Sequence, residues 1–126
     1  MATKRILVID NEQYIQEVTK ICLETIANWQ VITASSGREG ISKAENEHPD
    51  AILLDLIMPD MDGLTTFEKL QENPITYQIP VIFLTAKAIN CDSNRNRDRQ
   101  KTAAIAKPFN PLELANQISE ILGWTA

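Results

Sequence analysis

The segment from Ala51 to Gly63, AILLDLIMPDMDG, constrains the fold more than any other stretch. Ala51, Ile52, Leu53 and Leu54 run without a polar interruption into Asp55, and a loop carrying Pro59 and Gly63 follows. A strand in an antiparallel sheet with one wet face would alternate polar and apolar residues, so an unbroken run indicates a strand covered on both faces, as in a parallel α/β sheet. Asp55 then stands at the carboxyl end of that strand, the edge where open α/β sheets bind ligands.

The same pattern recurs. Ile6 to Ile9 is β-branched-rich and ends on Asp10, and Val81 to Leu84 ends on Thr85 and the small Ala86. Gln30 to Ala34 makes a short strand, and Ala103 to Ala106 a weak one, with Ile105 its only β-branched member, followed by Lys107 and Pro108. Between these lie helical patterns. Ile15, Val18, Cys22 and Ile26 mark one face of a first helix, with Tyr14 and Glu17 outward. Ser36 and Glu39 form a capping box for a helix carrying Ile41 and Ala44, which His48-Pro49-Asp50 closes. Asp62 caps a helix through Leu64, Phe67 and Leu70, while Asp60 shapes the turn before it. Asn110, Pro111 and Glu113 open a last helix whose face is Leu114, Ile118, Ile121 and Leu122, and Gly123 stops it. Leu112 is expected in the core with Leu114. Asn90 to Lys101 has no large apolar residue where another helix would need a buried face, so a short, frayed or mobile helix is expected there.

Five strand–helix repeats with short connections predict an α/β fold, a single doubly wound five-stranded parallel sheet. Strand order 2-1-3-4-5 places the ends of strands 1 and 3, hence Asp10 and Asp55, side by side at the switch point.

Composition narrows the function. The 126 residues suit one domain, spanning 1–126, with no effector domain expected. A formal net charge of -5 argues against nucleic acid or an anionic membrane as partner and for proteins or a cation. The N-terminal apolar stretch is only Ile6 to Ile9, and no run approaches the roughly 20 apolar residues that span a bilayer, so a cytoplasmic location is expected. Cys22 and Cys91, with no CxxC and no histidine nearby, are expected as free thiols. The four glycines form neither GxGxxG nor a Walker loop, and an aspartate phosphatase of the haloacid type would want an acid at Ile57. Trp29 and Trp124 sit near element ends, where partial burial is their ordinary role.

Taken together, ILVIDNE (Ile6 to Glu12), LLDLIMPDMDG, IFLTAKA and AKPF resemble the receiver domain of two-component response regulators over essentially the whole chain. The resemblance implies a flavodoxin-like (βα)5 fold, whose strand order the family shares, and a phosphoryl group accepted on Asp55 from a histidine kinase or phosphotransfer protein. It further implies Thr85 and Lys107 as the hydroxyl and the lysine that contact that group. Mg²⁺ would be held by Asp10, Asn11 and Asp55 with the carbonyl of Ile57. Such a chain is a phosphoryl acceptor that assists its own phosphorylation and dephosphorylation, not an enzyme acting on a separate substrate. A stand-alone regulator signalling through an unknown output protein is the expectation. A phosphorylation-independent interaction module is the alternative, and dimerisation through the last helix and strand is left open. The residue types suit the chemistry. A carboxylate attacks a dianionic phosphoryl group poorly unless a cation, a lysine and hydroxyl donors offset the charge.

Three departures bear on these expectations. Asn11 stands where the family usually has a second acid, so weaker Mg²⁺ binding with phosphorylation retained is expected. Two carboxylates about 5 Å apart at an effective dielectric near 20 repel by about 3 kcal/mol, so the amide also relieves strain in the metal-free state. Ala104 occupies the position of the family's switch aromatic, so output through an inward-turning ring is not expected. Lys87 matches a variable position that tunes dephosphorylation.

Overall fold

The computed structural model describes residues 3–59, 61–85, 103–107 and 109–124. The expectations placed on Asp60, Ala86, Lys87, Asn90 to Lys101 and Pro108 lie outside the described residues. Each of the five expected strands forms: β1 is Arg5–Ile9, β2 Gln30–Ala34, β3 Ala51–Asp55, β4 Val81–Thr85 and β5 Ala103–Ala106. The described helices are α1 Gln13–Ile26, α2 Gly37–Glu47, α3 Gly63–Glu72 and α4 Leu114–Leu122. The strands are all parallel, in the order β2-β1-β3-β4-β5. Among the described residues no helix is long and apolar enough to cross a membrane.

Residues of the central strands alternate between two buried cores, which is why their apolar runs are unbroken. Ile6, Val8, Leu53, Ile82, Leu84 and Ile105 face Leu23 of α1 and Leu114 and Ile118 of α4. Leu7, Ile9, Ile52, Leu54 and Phe83 face Ala44 of α2 and Phe67 and Leu70 of α3. Each fully buried leucine or isoleucine contributes about 1.5–3 kcal/mol relative to exposure, so both faces must stay covered.

The caps follow the sequence. Ser36 Oγ accepts from the Glu39 N–H, and Asp62 Oδ1 from the Thr65 N–H at 2.8 Å. The Asp62 carboxyl is held below its ordinary range chiefly by that N–H. His48 closes α2 in the left-handed region, and Gly123 ends α4 at φ 72°.

Three expectations are corrected. Leu112 is 71% exposed. It lies in a tight turn that precedes the last helix, where Asn110 Oδ1 accepts from the Leu112 N–H and the Asn110 carbonyl from the Glu113 N–H, each at 2.9 Å. Asn110 therefore caps this turn, and the regular helix begins only at Leu114. Outside the regular helix, Leu112 does not share the face of Leu114 and turns to solvent. The face of α1 is also turned: Thr19 and Leu23 are its buried residues, whereas Ile26 is 49% exposed. Periodicity locates an apolar stripe, but the contact with the sheet and α4 selects its centre. On α3, Thr66 is buried beside Phe67 and Leu70, and Leu64 is 55% exposed.

Candidate functional site

Parallel register carries the site residues to one edge. Ile9 pairs with Leu54, so Asp10 and Asp55 leave β1 and β3 as neighbours. Asp55 pairs with Leu84, which places Thr85 one residue beyond it, and Thr85 pairs with Ala106, so Lys107 comes next. The Lys107 N–H donates to the Thr85 carbonyl at 2.6 Å, continuing the ladder past β5.

Asp10 is fully buried and every side of it is held. Its N–H donates to the Ala34 carbonyl at 3.0 Å, its Oδ1 accepts from the Glu12 N–H at 2.8 Å, and its carbonyl accepts from Gln16 Nε2 at 2.6 Å. Gln16 also reaches Ser35 Oγ at 3.1 Å, bracing the end of β1 against the end of β2. Asp55 is buried, and its Oδ1 lies 3.5 Å from both the Ile57 N–H nitrogen and Lys107 Nζ. Ile57 itself is 75% exposed, whereas Met58 beside it is buried in the core and anchors the loop.

Gly63 keeps that loop closed. Its N–H donates to the Leu56 carbonyl at 2.8 Å, and a Cβ there would collide with the Asp55 carbonyl oxygen and lie 2.7 Å from Leu56 Cα. Both obstacles are backbone, so no side chain fits without moving the end of β3. The glycine thus lets α3 begin directly against the strand that carries Asp55.

Lys107 Nζ sits among three carboxylates: Asp10 Oδ2 at 3.0 Å, Glu12 Oε1 at 3.3 Å and Asp55 Oδ1 at 3.5 Å. Burial pulls the Lys107 ammonium down, but the hydrogen bond and charge of Asp10, then Asp55 and Glu12, outweigh it and hold the group above its ordinary value. The Asp55 carboxyl is raised, first by burial and then by the Asp10 charge; Lys107 and the Ile57 N–H only partly offset these. Negative charge is in excess here.

The site is suited to a small hard cation. Asp10 and Asp55 already share one cationic head group, and the donors are oxygen throughout. Among the described residues no three His, Cys, Asp or Glu side chains converge to hold a metal. Asp10, Asp55 and a peptide carbonyl would hold Mg²⁺ with water in its remaining positions, a donor set that this ion favours.

The structure thus brings Asp10, Asp55, Thr85 and Lys107 to one edge, with the Ile57 peptide beside Asp55. Asn11 is exposed, between the buried Asp10 and Glu12. Ala104 lies opposite Phe83, which packs edge-to-face on Phe67 with ring centroids 5.5 Å apart. Glu12 and Gln16 were not anticipated. The acid two places after Asp10 in ILVIDNE was the available signal for Glu12; Gln16, one polar residue on a helix, offered none.

Comparison with known proteins agrees with this fold. The response regulator receiver domain family matches residues 6–119, and the chain belongs to that family. It is 35% identical over 119 residues to the alkaline phosphatase synthesis transcriptional regulatory protein PhoP of Bacillus subtilis, covering 94% of this chain and 48% of that protein. The chemotaxis protein CheY4 of Vibrio cholerae is similar in structure, with TM-score 0.85 and 26% identity over 95% of this chain and 99% of that one. So is the receiver domain of sensor histidine kinase PA1611 from Pseudomonas aeruginosa, solved with a magnesium ion in its active-site cleft, at TM-score 0.79 and 27% identity over 97% and 99% of the two chains.

The chain spans about half the length of the curated relatives it matches. Those relatives are transcriptional regulators, and this overturns the expectation that nucleic acid has no place among the partners. The reason is one of scope. A net charge of -5 speaks to what this surface would bind directly, and says nothing of a process that acts on nucleic acid elsewhere.

Proposed function

We propose that this receiver domain accepts a phosphoryl group on Asp55 from the phosphohistidine of a histidine kinase, with Mg²⁺ held by Asp10, Asp55 and the Ile57 carbonyl, Asn11 contributing its amide oxygen. The observation that carries the reading is the shared ammonium: one Lys107 Nζ within 3.5 Å of both the Asp10 and Asp55 carboxylates at the sheet's switch point. An oxygen of Asp55 forms the new O–P bond as the P–N bond to the donor imidazole breaks, and the electron pair leaves on the imidazole nitrogen. Asp55 reacts as the carboxylate, so it gives up no proton. Lys107 stays beside the transferring oxygens, and Thr85, one residue past the neighbour of Asp55, offers its hydroxyl to them. Bound Mg²⁺ supplies further neutralisation of charge on those oxygens.

Catalysis of this kind is positioning plus electrostatics, which a rigid strand edge can provide without a separate substrate pocket. The chain is in this reading an acceptor that promotes its own modification and not an enzyme in its own right. Its output bears on transcription, as the names of its relatives indicate, and its setting is the cytoplasm.

The test is direct. Incubation with Mg²⁺ and a small phosphodonor should add about 80 Da, the mass of one phosphoryl group, and Asp55→Ala should abolish the gain. No gain in a folded wild type would instead favour an interaction module that works without phosphorylation.

A further inference from the structure

Glu12 occupies the N-cap position of α1 in an extended conformation, φ -90° and ψ 113°, yet its side chain makes no capping hydrogen bond. A carboxylate there could accept a first-turn N–H, which is worth about 1 kcal/mol, and no acidic residue in the first turn of α1 supplies a substitute for it. The side chain turns instead to Lys107 Nζ, 95 residues away in the chain, at 3.3 Å. Its backbone is tied to the same cluster, since the Glu12 N–H donates to Asp10 Oδ1 at 2.8 Å. Glu12 is therefore fixed relative to Asp10 at the backbone and to Lys107 at the carboxylate, although its side chain is 60% exposed.

Asn11, immediately before it, leaves the cluster one carboxylate short of the pair that would hold a cation most strongly. With Glu12 included, three carboxylates and one ammonium surround the site, a net charge of -2 that equals and opposes a divalent cation. We infer that Glu12 is a positioning residue that replaces the charge missing at Asn11. It holds Lys107 toward the rim and keeps the Mg²⁺ affinity of the site from falling as far as the asparagine alone would take it. The carboxylate acts through Lys107 and through the field, not as a ligand. This inference rests on the phosphoryl-acceptor reading of the same site.

Calorimetric titration of Mg²⁺ into the wild type, E12Q, N11D and the E12Q/N11D pair tests it. E12Q should weaken binding about fivefold at low salt, and the loss should shrink in about 0.5 M salt, because a half-exposed charge is screened. N11D in the E12Q background should restore affinity to within about twofold of the wild type, since the net charge is the same. Thermal unfolding in EDTA should leave E12Q near the wild type, which separates the charge effect from folding. A wild-type affinity in E12Q overturns the inference, as does an E12Q/N11D pair that stays as weak as E12Q. A wild type that binds no Mg²⁺ overturns the metal site itself, and with it this role, and is recognised without any variant.

Discussion

The two edges of the sheet carry similar residue types in opposite electrostatic conditions. At the amino edge, Arg5 at the start of β1 donates Nη1 to the Glu47 carbonyl at 2.7 Å and Nη2 to Glu47 Oε1 at 2.6 Å. The Arg5 N–H donates to Asp50 Oδ2 at 2.8 Å, and Lys4 Nζ lies 4.6 Å from the centroid of the Trp124 ring. Trp124 meets Trp29 edge-to-face, with centroids 5.3 Å apart, joining the ends of α1 and α4. These charged groups are partly exposed and their partners lie within the fold. At the carboxyl edge one ammonium serves three carboxylates, two of them buried, and the Asp55 carboxyl is pushed up by that burial. A cation paired at the surface ties elements together, whereas excess buried charge leaves a site that a further cation can stabilise.

Removing the central cation at each edge gives the sharpest test. Lys107→Ala should slow phosphoryl transfer from a small donor about 100-fold, the scale for losing one preorganised charge contact. In EDTA it should also destabilise the fold by about 3 kcal/mol, because Asp10 and Asp55 are left buried and unpaired, and Mg²⁺ should recover part of that loss. If Mg²⁺ recovers nothing in a denaturant titration, the two carboxylates do not share a cation. Arg5→Ala should cost about 1 kcal/mol of stability with no change in phosphorylation rate. A changed rate in that variant would show that the two edges are coupled through the sheet.

An effect of similar size has the opposite sign. Asp55→Asn should stabilise the metal-free protein by roughly 1 kcal/mol near neutral pH, because it removes a buried charge facing Asp10. Asp55 is an acid with its carboxyl raised in the folded state, so the folded chain binds the proton at a higher pH than the unfolded chain does. Its ionisation therefore costs stability above the raised value, and the cost fades as pH falls toward the ordinary carboxylate range. Melting curves of Asp55→Asn and the wild type should accordingly converge on acidification. The Lys107 shift has the same sign of slope in a far more alkaline window: its contribution is fully present below the ordinary lysine range and is lost as strongly alkaline pH strips the ammonium.

Much of the site was legible because its information is local. ILVID, AILLD and VIFLT each pair an apolar run with a polar end, and parallel strands bring those ends to a common edge. Even the weak run Ala103 to Ala106 forms β5, because Ile105 finds the core beside Leu84. The misses share a different cause. Leu112 is apolar, but it stands in a turn ahead of the helix and off the face that Leu114 and Ile118 bury. The stripe on α1 was visible, but its centre at Leu23 depended on what packed against it. The partner expectation is overturned by relatives that are transcriptional regulators, a relationship on which the net charge of this stretch carries no information.

Glu12 marks the boundary between what sequence and tertiary structure each decide. The chain by itself determined the strand runs, the caps at Ser36 and Asp62, the stop at Gly123 and the alignment of Asp10, Asp55, Thr85 and Lys107 at one edge. These follow from hydrophobic periodicity, turn chemistry and the fixed hand of parallel crossovers. Only the tertiary structure decided that the Glu12 carboxylate leaves its own helix for Lys107, that Gly63 must be bare against the β3 backbone, and that burial pushes up the Asp55 carboxyl. Those outcomes depend on distances between residues far apart in the chain and on the water excluded between them, and neither is encoded in any local pattern.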